Sequence, residues 1–424
     1  MSSTRASRGS PASWRAGTRP EVIATYAEPI PGLSNHRPDE RRTMTIDMPT
    51  PTIPAEGHAR RVSALRESLH RQMDSVIDSG AFHNGPFTQR LEGIFSESTG
   101  GRTVAGASGT QSLTAAIHAA DLEDGAEVIL PASTFVSTAF AVADAGAIPV
   151  FVDVDPDTYT IDPVAVEQAI TQRTRAIAVV HLYGHPADVE SINAIANTHG
   201  LKVVEDCAQA YGASDRGHAV GTAGDFACFS LWVGKTLGGL GDGGVVVTRN
   251  DDDADRIRHL FNVGRSPDDR YLHTTYGFRA RMAEIDAAAA VLEAEHSNDW
   301  RARRDSIARH YIDEFDGLPI TTPHVRDGVD HAWYKFVIRV PDPMRLSDTL
   351  ASLGIRTEQV YPKLVHHQPA FREIPHRIGP VSTAEEINAH HLCIPVYAEL
   401  EDDEVDRIVT AVHQHFRTGT VQRP

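Results

Sequence analysis

The stretch Phe226-Ala-Cys-Phe-Ser-Leu-Trp-Val-Gly-Lys235-Thr-Leu-Gly-Gly-Leu-Gly-Asp-Gly-Gly244 places one lysine between an apolar run and a glycine-rich bend. Ser230 stands five residues before the lysine, and Val245-Val-Val-Thr248 follows directly behind the bend as a strand. Burial works against a lysine's charge, and the neutral amine that results is a nucleophile toward carbonyls. Most lysines lie on the surface, so Lys235 needs companions before it means chemistry. The Gly239-Leu-Gly-Asp-Gly-Gly244 run does not match a dinucleotide fingerprint, because it leads into a strand instead of following one and opening a helix.

Outward from this stretch, strands and helices alternate. Strands are expected at Glu127–Leu130, Val150–Val154, Ala176–Leu182, Lys202–Glu205, Ala227–Leu231 and Gly244–Thr248, with helices at Gln111–Ala120, Ser137–Ala145, Pro163–Ile170 and Val189–Thr198 between them. Such alternation indicates an α/β layer with a mostly parallel sheet. Leu65, Leu69, Met73 and Val76 give helical spacing over Ala64–Ile77, and Asn84-Gly85-Pro86 marks a loop. Met282–Arg303 reads as one long helix with a hinge near its end. Beyond it a strand (Trp333–Val340) and helices (Arg345–Leu353, Asp403–Phe416) suggest a smaller α+β domain. The expected division is an extension over 1–57, a large domain over 58–300 and a small one over 301–424.

The companions of Lys235 lie at strand ends. Ala107-Ser-Gly-Thr-Gln111 precedes a helix, where free N–H groups of Gly109, Thr110 and Gln111 and the helix dipole favour an anion. The same residues serve more often as a plain N-cap. Asp206, in Val203-Val-Glu-Asp206-Cys-Ala-Gln209, ends an apolar strand where open α/β sheets place ligand groups. It could hold a pyridine nitrogen protonated or simply cap the next loop, and Gln209 could reach a ring hydroxyl or solvent. Phe135, behind another strand end, could stack on a flat heterocycle or fill the core. An amine, a phosphate cradle and a carboxylate for a ring nitrogen are the parts that pyridoxal 5′-phosphate (PLP) requires.

Bulk composition sets limits. The chain has 424 residues, 41% hydrophobic and 23% charged, which suits a globular enzyme of two domains. Its formal charge of −17 argues against nucleic acid as a partner. Three scattered cysteines (Cys207, Cys228, Cys393) form no disulfide framework or zinc motif, and a reducing cytoplasm fits them best. The His366-His367 and His390-His391 pairs point their rings apart in regular structure, so no metal is expected. No apolar run reaches the length of a membrane span. Residues 1–57 lack periodicity and are rich in Pro, Ser, Thr and Arg, which reads as disorder, and Met44 offers an alternative start.

The order of these parts resembles one family. Ser108-Gly-Thr before a helix, then Phe135, then Asp206-x-x-Gln209, then Ser230-x4-Lys235 with Gly-Asp-Gly-Gly behind it is similar to the DegT/DnrJ/EryC1/StrS group of PLP-dependent sugar aminotransferases. Asn84-Gly-Pro86, Gly146-Ala-Ile-Pro-Val-Phe-Val-Asp-Val-Asp155 and Gly277-Phe-x-x-Arg281-Met-x-Glu284-Ile extend the similarity over roughly Ser79 to Phe416. The resemblance implies fold type I, like aspartate aminotransferase: a large domain with a mostly parallel seven-stranded sheet and a smaller C-terminal α+β domain. It implies Lys235 as the Schiff-base residue and proton shuttle, Asp206 on the pyridinium nitrogen, Phe135 over the ring and Gln209 near its hydroxyl. Gly109, Thr110, Gln111 and Ser230 would hold the phosphate. A homodimer with shared sites is implied, with glutamate or glutamine as donor and a keto sugar or keto-cyclitol as acceptor.

Two positions depart from the pattern. Arg279 stands where the family commonly has an asparagine that reaches the phosphate across the dimer interface. An arginine there could pair with that phosphate, meet an anionic substrate or point away. The Leu231-Trp-Val-Gly234 approach to the lysine also differs. A related sugar deoxygenase carries histidine in place of the lysine, so Lys235 favours transamination over dehydration; a non-catalytic regulatory protein on the same fold is the other alternative.

Overall fold

An eight-stranded sheet forms the centre of the computed structural model, which describes residues 52–419. Its strands, numbered in chain order, are β1 (Arg102–Gly106), β2 (Glu127–Pro131), β3 (Ile148–Val152), β4 (Thr174–Val180), β5 (Lys202–Asp206), β6 (Phe226–Ser230), β7 (Gly244–Thr248) and β8 (Arg377–Ile378). Their spatial order is β1-β7-β6-β5-β4-β2-β3-β8, and only β7 runs against its neighbours. Seven strands make up the expected sheet. The eighth is a two-residue addition from the C-terminal segment, and Arg377 on it pairs with the buried Glu127 at 2.6 Å.

The strands are apolar on both faces because helices cover both. Leu130, Ala178, Val180 and Val204 pack with helices Gly109–Ala119 and Val136–Asp144, while Ile129, Ile177, Val179 and Val203 pack with helix Val189–His199. This alternation along each strand is the period-2 rule of a sheet buried from two sides.

Two distant motifs meet at a helix start. Helix Pro86–Thr99 opens behind Gly85, and Glu284 fills its N-terminus by accepting from Gly85 N–H (2.9 Å), Phe87 N–H (2.5 Å) and the Thr88 hydroxyl (2.6 Å). A Cβ on Gly85 would lie 2.6 Å from Glu284 Oε1, so a side chain there would displace the capping carboxylate. This contact joins the Asn84-Gly-Pro86 and Met282-x-Glu284 segments in space.

The long helix expected over Met282–Arg303 is two helices, Glu284–Ala294 and Ser297–Glu314. The first packs Ala287, Ala290 and Val291 beside the sheet, and the second sends Ile307, Ala308 and Tyr311 into a separate core. One straight axis cannot serve both, and the break falls at Glu295-His296, where the Ser297 hydroxyl donates to the Ala294 carbonyl at 2.8 Å.

That second core joins Phe336, Leu346, Leu392 and Ile408 around the antiparallel pair Phe336–Arg339 and His391–Ile394. Ile53 is fully buried in it, its N–H bonded to the Gly354 carbonyl, so residues 52–57 of the expected extension pack onto the C-terminal part. Residues 1–51, with the proposed start at Met44, lie outside the described residues. Val360, Phe371 and Ile387 pack into the sheet's own core, so the chain beyond 300 contributes to both. The strand expected from Trp333 begins only at Phe336. Trp333–Lys335 instead forms an irregular link, with Trp333 at φ 51°.

Candidate active site

The C-terminal ends of β2, β4, β5 and β6 open on one cavity of about 530 Å³. Open α/β sheets place ligands at this edge, and the size suits a small-molecule site. Lys235, Asp206, Gly109, Thr110, Phe135, Gln209 and Ser230 all line it.

Lys235 follows β6 in a tight turn, its N–H donating to the Trp232 carbonyl at 2.8 Å. Arg61 donates to the Lys235 carbonyl at 3.0 Å, which pins the turn from behind. The half-buried lysine carries its amine to 4.7 Å from the centre of the Tyr334 ring. Burial lowers its pKa to about 8 against the pull of Asp206, with Lys335 adding to the fall and Glu56 opposing it. A useful fraction of neutral amine therefore exists near neutral pH.

Asp206 ends β5 at 5% exposure. Its Oδ2 accepts from the Thr138 hydroxyl at 2.7 Å and its Oδ1 from Ala208 N–H at 3.1 Å. Burial raises its pKa, and these two donors with the nearby Lys235 work against that rise. Both donors address the ionised form, and each oxygen keeps a lone pair for a further partner.

At the start of helix Gly109–Ala119, Ser108 caps in the ordinary way, accepting from Gln111 N–H at 3.2 Å. Gly109 and Thr110 remain on the cavity wall; Gln111 is not part of it. A Cβ on Gly109 would come within 2.6 Å of Ser230 Cβ, so the bare glycine lets the helix end and Ser230 converge. The capping and cavity roles of this motif thus coexist. Phe135 is 48% exposed with its ring centre 5.4 Å from that of Tyr361. Arg279 is exposed and is not part of the cavity wall.

Several lining residues escaped the sequence reading. Thr138, behind the wall on helix Val136–Asp144, reaches the site through Asp206. Tyr334 and Lys335 both face the cavity because the Trp333–Lys335 link is not a strand and does not alternate. Lys335, 6% exposed, donates to Glu56 at 2.6 Å and Glu358 at 2.7 Å; burial alone would lower its pKa, but the two carboxylates raise it. A lysine inside an apolar run was the available clue. Glu56 lay in a stretch read as disordered. Glu205, next to Asp206, is structural: its buried carboxylate accepts from Gly221, Ala223 and Gly224 N–H and pairs with His181 at 3.0 Å. His367 lies 4.0 Å from Glu385 on the surface, beside His366.

The residues present fit PLP: an amine of lowered pKa, a buried carboxylate with a spare lone pair, and a helix end kept clear by Gly109 share one cavity. The sequence matches the DegT/DnrJ/EryC1/StrS aminotransferase family over residues 63–413. The chain belongs to this family. As a DegT/DnrJ/EryC1/StrS protein it is a PLP-dependent aminotransferase. It is 39% identical to the erythromycin biosynthesis sensory transduction protein EryC1 of Saccharopolyspora erythraea, over 82% of this chain and 95% of that one. It is 36% identical to dTDP-3-amino-3,4,6-trideoxy-alpha-D-glucose transaminase of Streptomyces venezuelae, over 86% and 96%. The crystal structure of S. venezuelae DesV with a ketimine intermediate superposes with a TM-score of 0.83 at 36% identity, covering 88% of this chain and all of that one. Among the described residues no helix is long and apolar enough to cross a membrane.

Proposed function

We propose that this aminotransferase moves an amino group from glutamate or glutamine to a keto sugar, nucleotide-linked, or to a keto-cyclitol, in natural-product or polysaccharide biosynthesis. The observation that carries the chemistry is the convergence of Lys235, Asp206 and the Gly109–Ser230 contact in one cavity. The nucleotide-sugar reading draws support from relatives named as transaminases of dTDP- and UDP-linked sugars.

PLP bound there supplies an electron sink for the carbon that gains or loses the amine. Lys235 would hold the cofactor through its neutral amine, and its Nζ would carry the proton between the reacting carbons. Asp206 holds the ring nitrogen's proton, and Thr138 and Ala208 keep it an acceptor. Free N–H groups at Gly109 and Thr110, with the Ser230 hydroxyl, take the phosphate. Gln111 contributes the helix it extends, since its own N–H is held by Ser108. Phe135 covers one ring face and excludes water. Gln209 approaches the ring hydroxyl.

Two half-reactions then alternate. The donor leaves its amine on the site and departs as a keto acid, and the keto acceptor enters the same cavity. The working unit is a homodimer: Tyr271 (79% exposed), Leu272 and Tyr276 form an apolar stretch leading to Arg279, which suits burial against a second copy. Arg279 would then face the phosphate of the neighbouring site. The three free, buried cysteines support a cytoplasmic location.

The test is product analysis. PLP-loaded protein with glutamate or glutamine is offered nucleotide-linked keto sugars and keto-cyclitols. An aminated product with release of the donor's keto acid is expected, and water loss without amine transfer contradicts it. A purely regulatory role is contradicted by turnover that disappears in Lys235→Ala.

A further inference from the structure

Tyr361 is braced on all sides but one. Its carbonyl accepts from Asn388 Nδ2 at 2.6 Å, and the Val360 carbonyl before it accepts from the Tyr183 hydroxyl. Its own hydroxyl oxygen accepts from Gln209 Nε2 at 2.9 Å. The direction of that bond is fixed. Gln209 Oε1 is occupied by Tyr183 N–H at 2.6 Å, so the amide nitrogen faces Tyr361 and only donates. A phenol has one proton, and with its oxygen accepting from Gln209 that proton is left for the cavity, which both residues line. Burial raises the Tyr361 pKa well above its ordinary value, with Tyr334 and Asp206 adding to the rise, so the hydroxyl stays protonated.

We infer that Tyr361 donates this proton to the ring oxygen of the bound cofactor, beside the second N–H of Gln209. The inference rests on the cofactor placement proposed above. With the ring nitrogen at Asp206, the aldehyde carbon at Lys235 and the phosphate at Gly109 and Ser230, the ring hydroxyl falls to Gln209, whose Nε2 lies 2.9 Å from the Tyr361 hydroxyl. Two nearby polar groups are already engaged. Thr138 donates to Asp206, and Lys335 donates to Glu56 and Glu358. Two donor atoms 2.9 Å apart can both reach a single acceptor oxygen. Tyr361 is thus a residue of the cofactor site contributed from beyond residue 300, where the sequence reading placed none.

A donor on the ring oxygen stabilises its anionic form and loosens the hold of that anion on the proton of the nitrogen linking Lys235 to the cofactor. The experiment is a pH titration of the bound cofactor's absorbance, without substrate, in wild type and Tyr361→Phe. The phenylalanine keeps the ring beside Phe135, and the melting temperature of the cofactor-free variant checks its fold. The midpoint is expected to rise by about one pH unit, the size of one lost hydrogen bond. Tyr183→Phe frees the Val360 carbonyl and the Ser133 hydroxyl without touching the Gln209–Tyr361 bond and moves the midpoint the same way by less; it takes the place of the first variant if that one does not fold. An unmoved midpoint in the folded variant, with only the KM of the keto acceptor raised, puts the hydroxyl on the substrate and overturns the inference. Loss of any cofactor band in wild type contradicts the cofactor placement itself.

Discussion

Thr138 donates its hydroxyl proton to Asp206 Oδ2 at 2.7 Å, and because a hydroxyl has one proton, Thr134, 2.8 Å away, must donate to Thr138 in turn. The relay points both protons toward the carboxylate and favours its ionised form. Thr138→Val keeps the shape and deletes the donor, so Asp206 loses part of what offsets its burial. PLP affinity, followed by absorbance titration, is expected to fall by about tenfold, the equivalent of one charge-assisted bond, with Thr138→Ser restoring most of it. Unchanged affinity in the valine variant would show that the relay does not act on the ring nitrogen.

The lowered pKa of Lys235 predicts how the cofactor-free protein captures PLP. Only the neutral amine attacks, so the capture rate rises with pH and levels off above about 8. Lys335 contributes to that lowering, while Asp206 and Glu56 oppose it. Lys335→Met removes a neighbouring cation and frees Glu56, and both changes raise the Lys235 pKa. Stopped-flow absorbance across pH should place the variant's midpoint above that of wild type. A midpoint that stays or falls contradicts the assignment of these charges.

Glu284 bonds the N-terminus of helix Pro86–Thr99 through three backbone N–H groups and one hydroxyl. Glu284→Ala leaves those donors buried and unpaired. Urea unfolding of the cofactor-free protein should register a loss of about 3 kcal/mol, the cost of removing a buried charged acceptor. An unchanged midpoint would mean that water replaces the carboxylate.

Arg279 is exposed in a single chain, so its substitution should leave the fold intact. In the proposed dimer it faces the neighbouring phosphate, and Arg279→Ala should weaken PLP binding without shifting the melting temperature of the cofactor-free protein. Equal affinity in variant and wild type removes Arg279 from the cofactor site.

Much of the sheet was legible because its strands are short apolar runs ending where Asp206, Ser230 and Phe135 begin to be polar or aromatic. β1 was missed, since Arg102-Thr-Val-Ala-Gly is too short and too mixed to stand out, and helix Pro86–Thr99 hid behind a proline that in fact opens it. Apart from Arg279, the site residues read from sequence lie at the ends of strands before β7 or in the loops and helix starts that follow them. The ones missed, Glu56, Lys335 and Tyr361, come from segments that reach the cavity only through tertiary packing. Ile53 anchors the first of these in the second core, and Tyr183 braces the last. No local pattern encodes such an approach. The broken helix at Glu295-His296 was illegible for the same reason: helical spacing continues across it, and only the presence of two cores forces the bend.

The central claim is that Lys235 is the amine that holds the cofactor. Borohydride reduction of the PLP-loaded protein, followed by peptide mass mapping, tests it directly. A pyridoxyl group on the peptide containing Lys235, absent from Lys235→Ala, is the result expected. Label on Lys335 or Lys363, or no covalent label in a protein that still binds PLP, would contradict it.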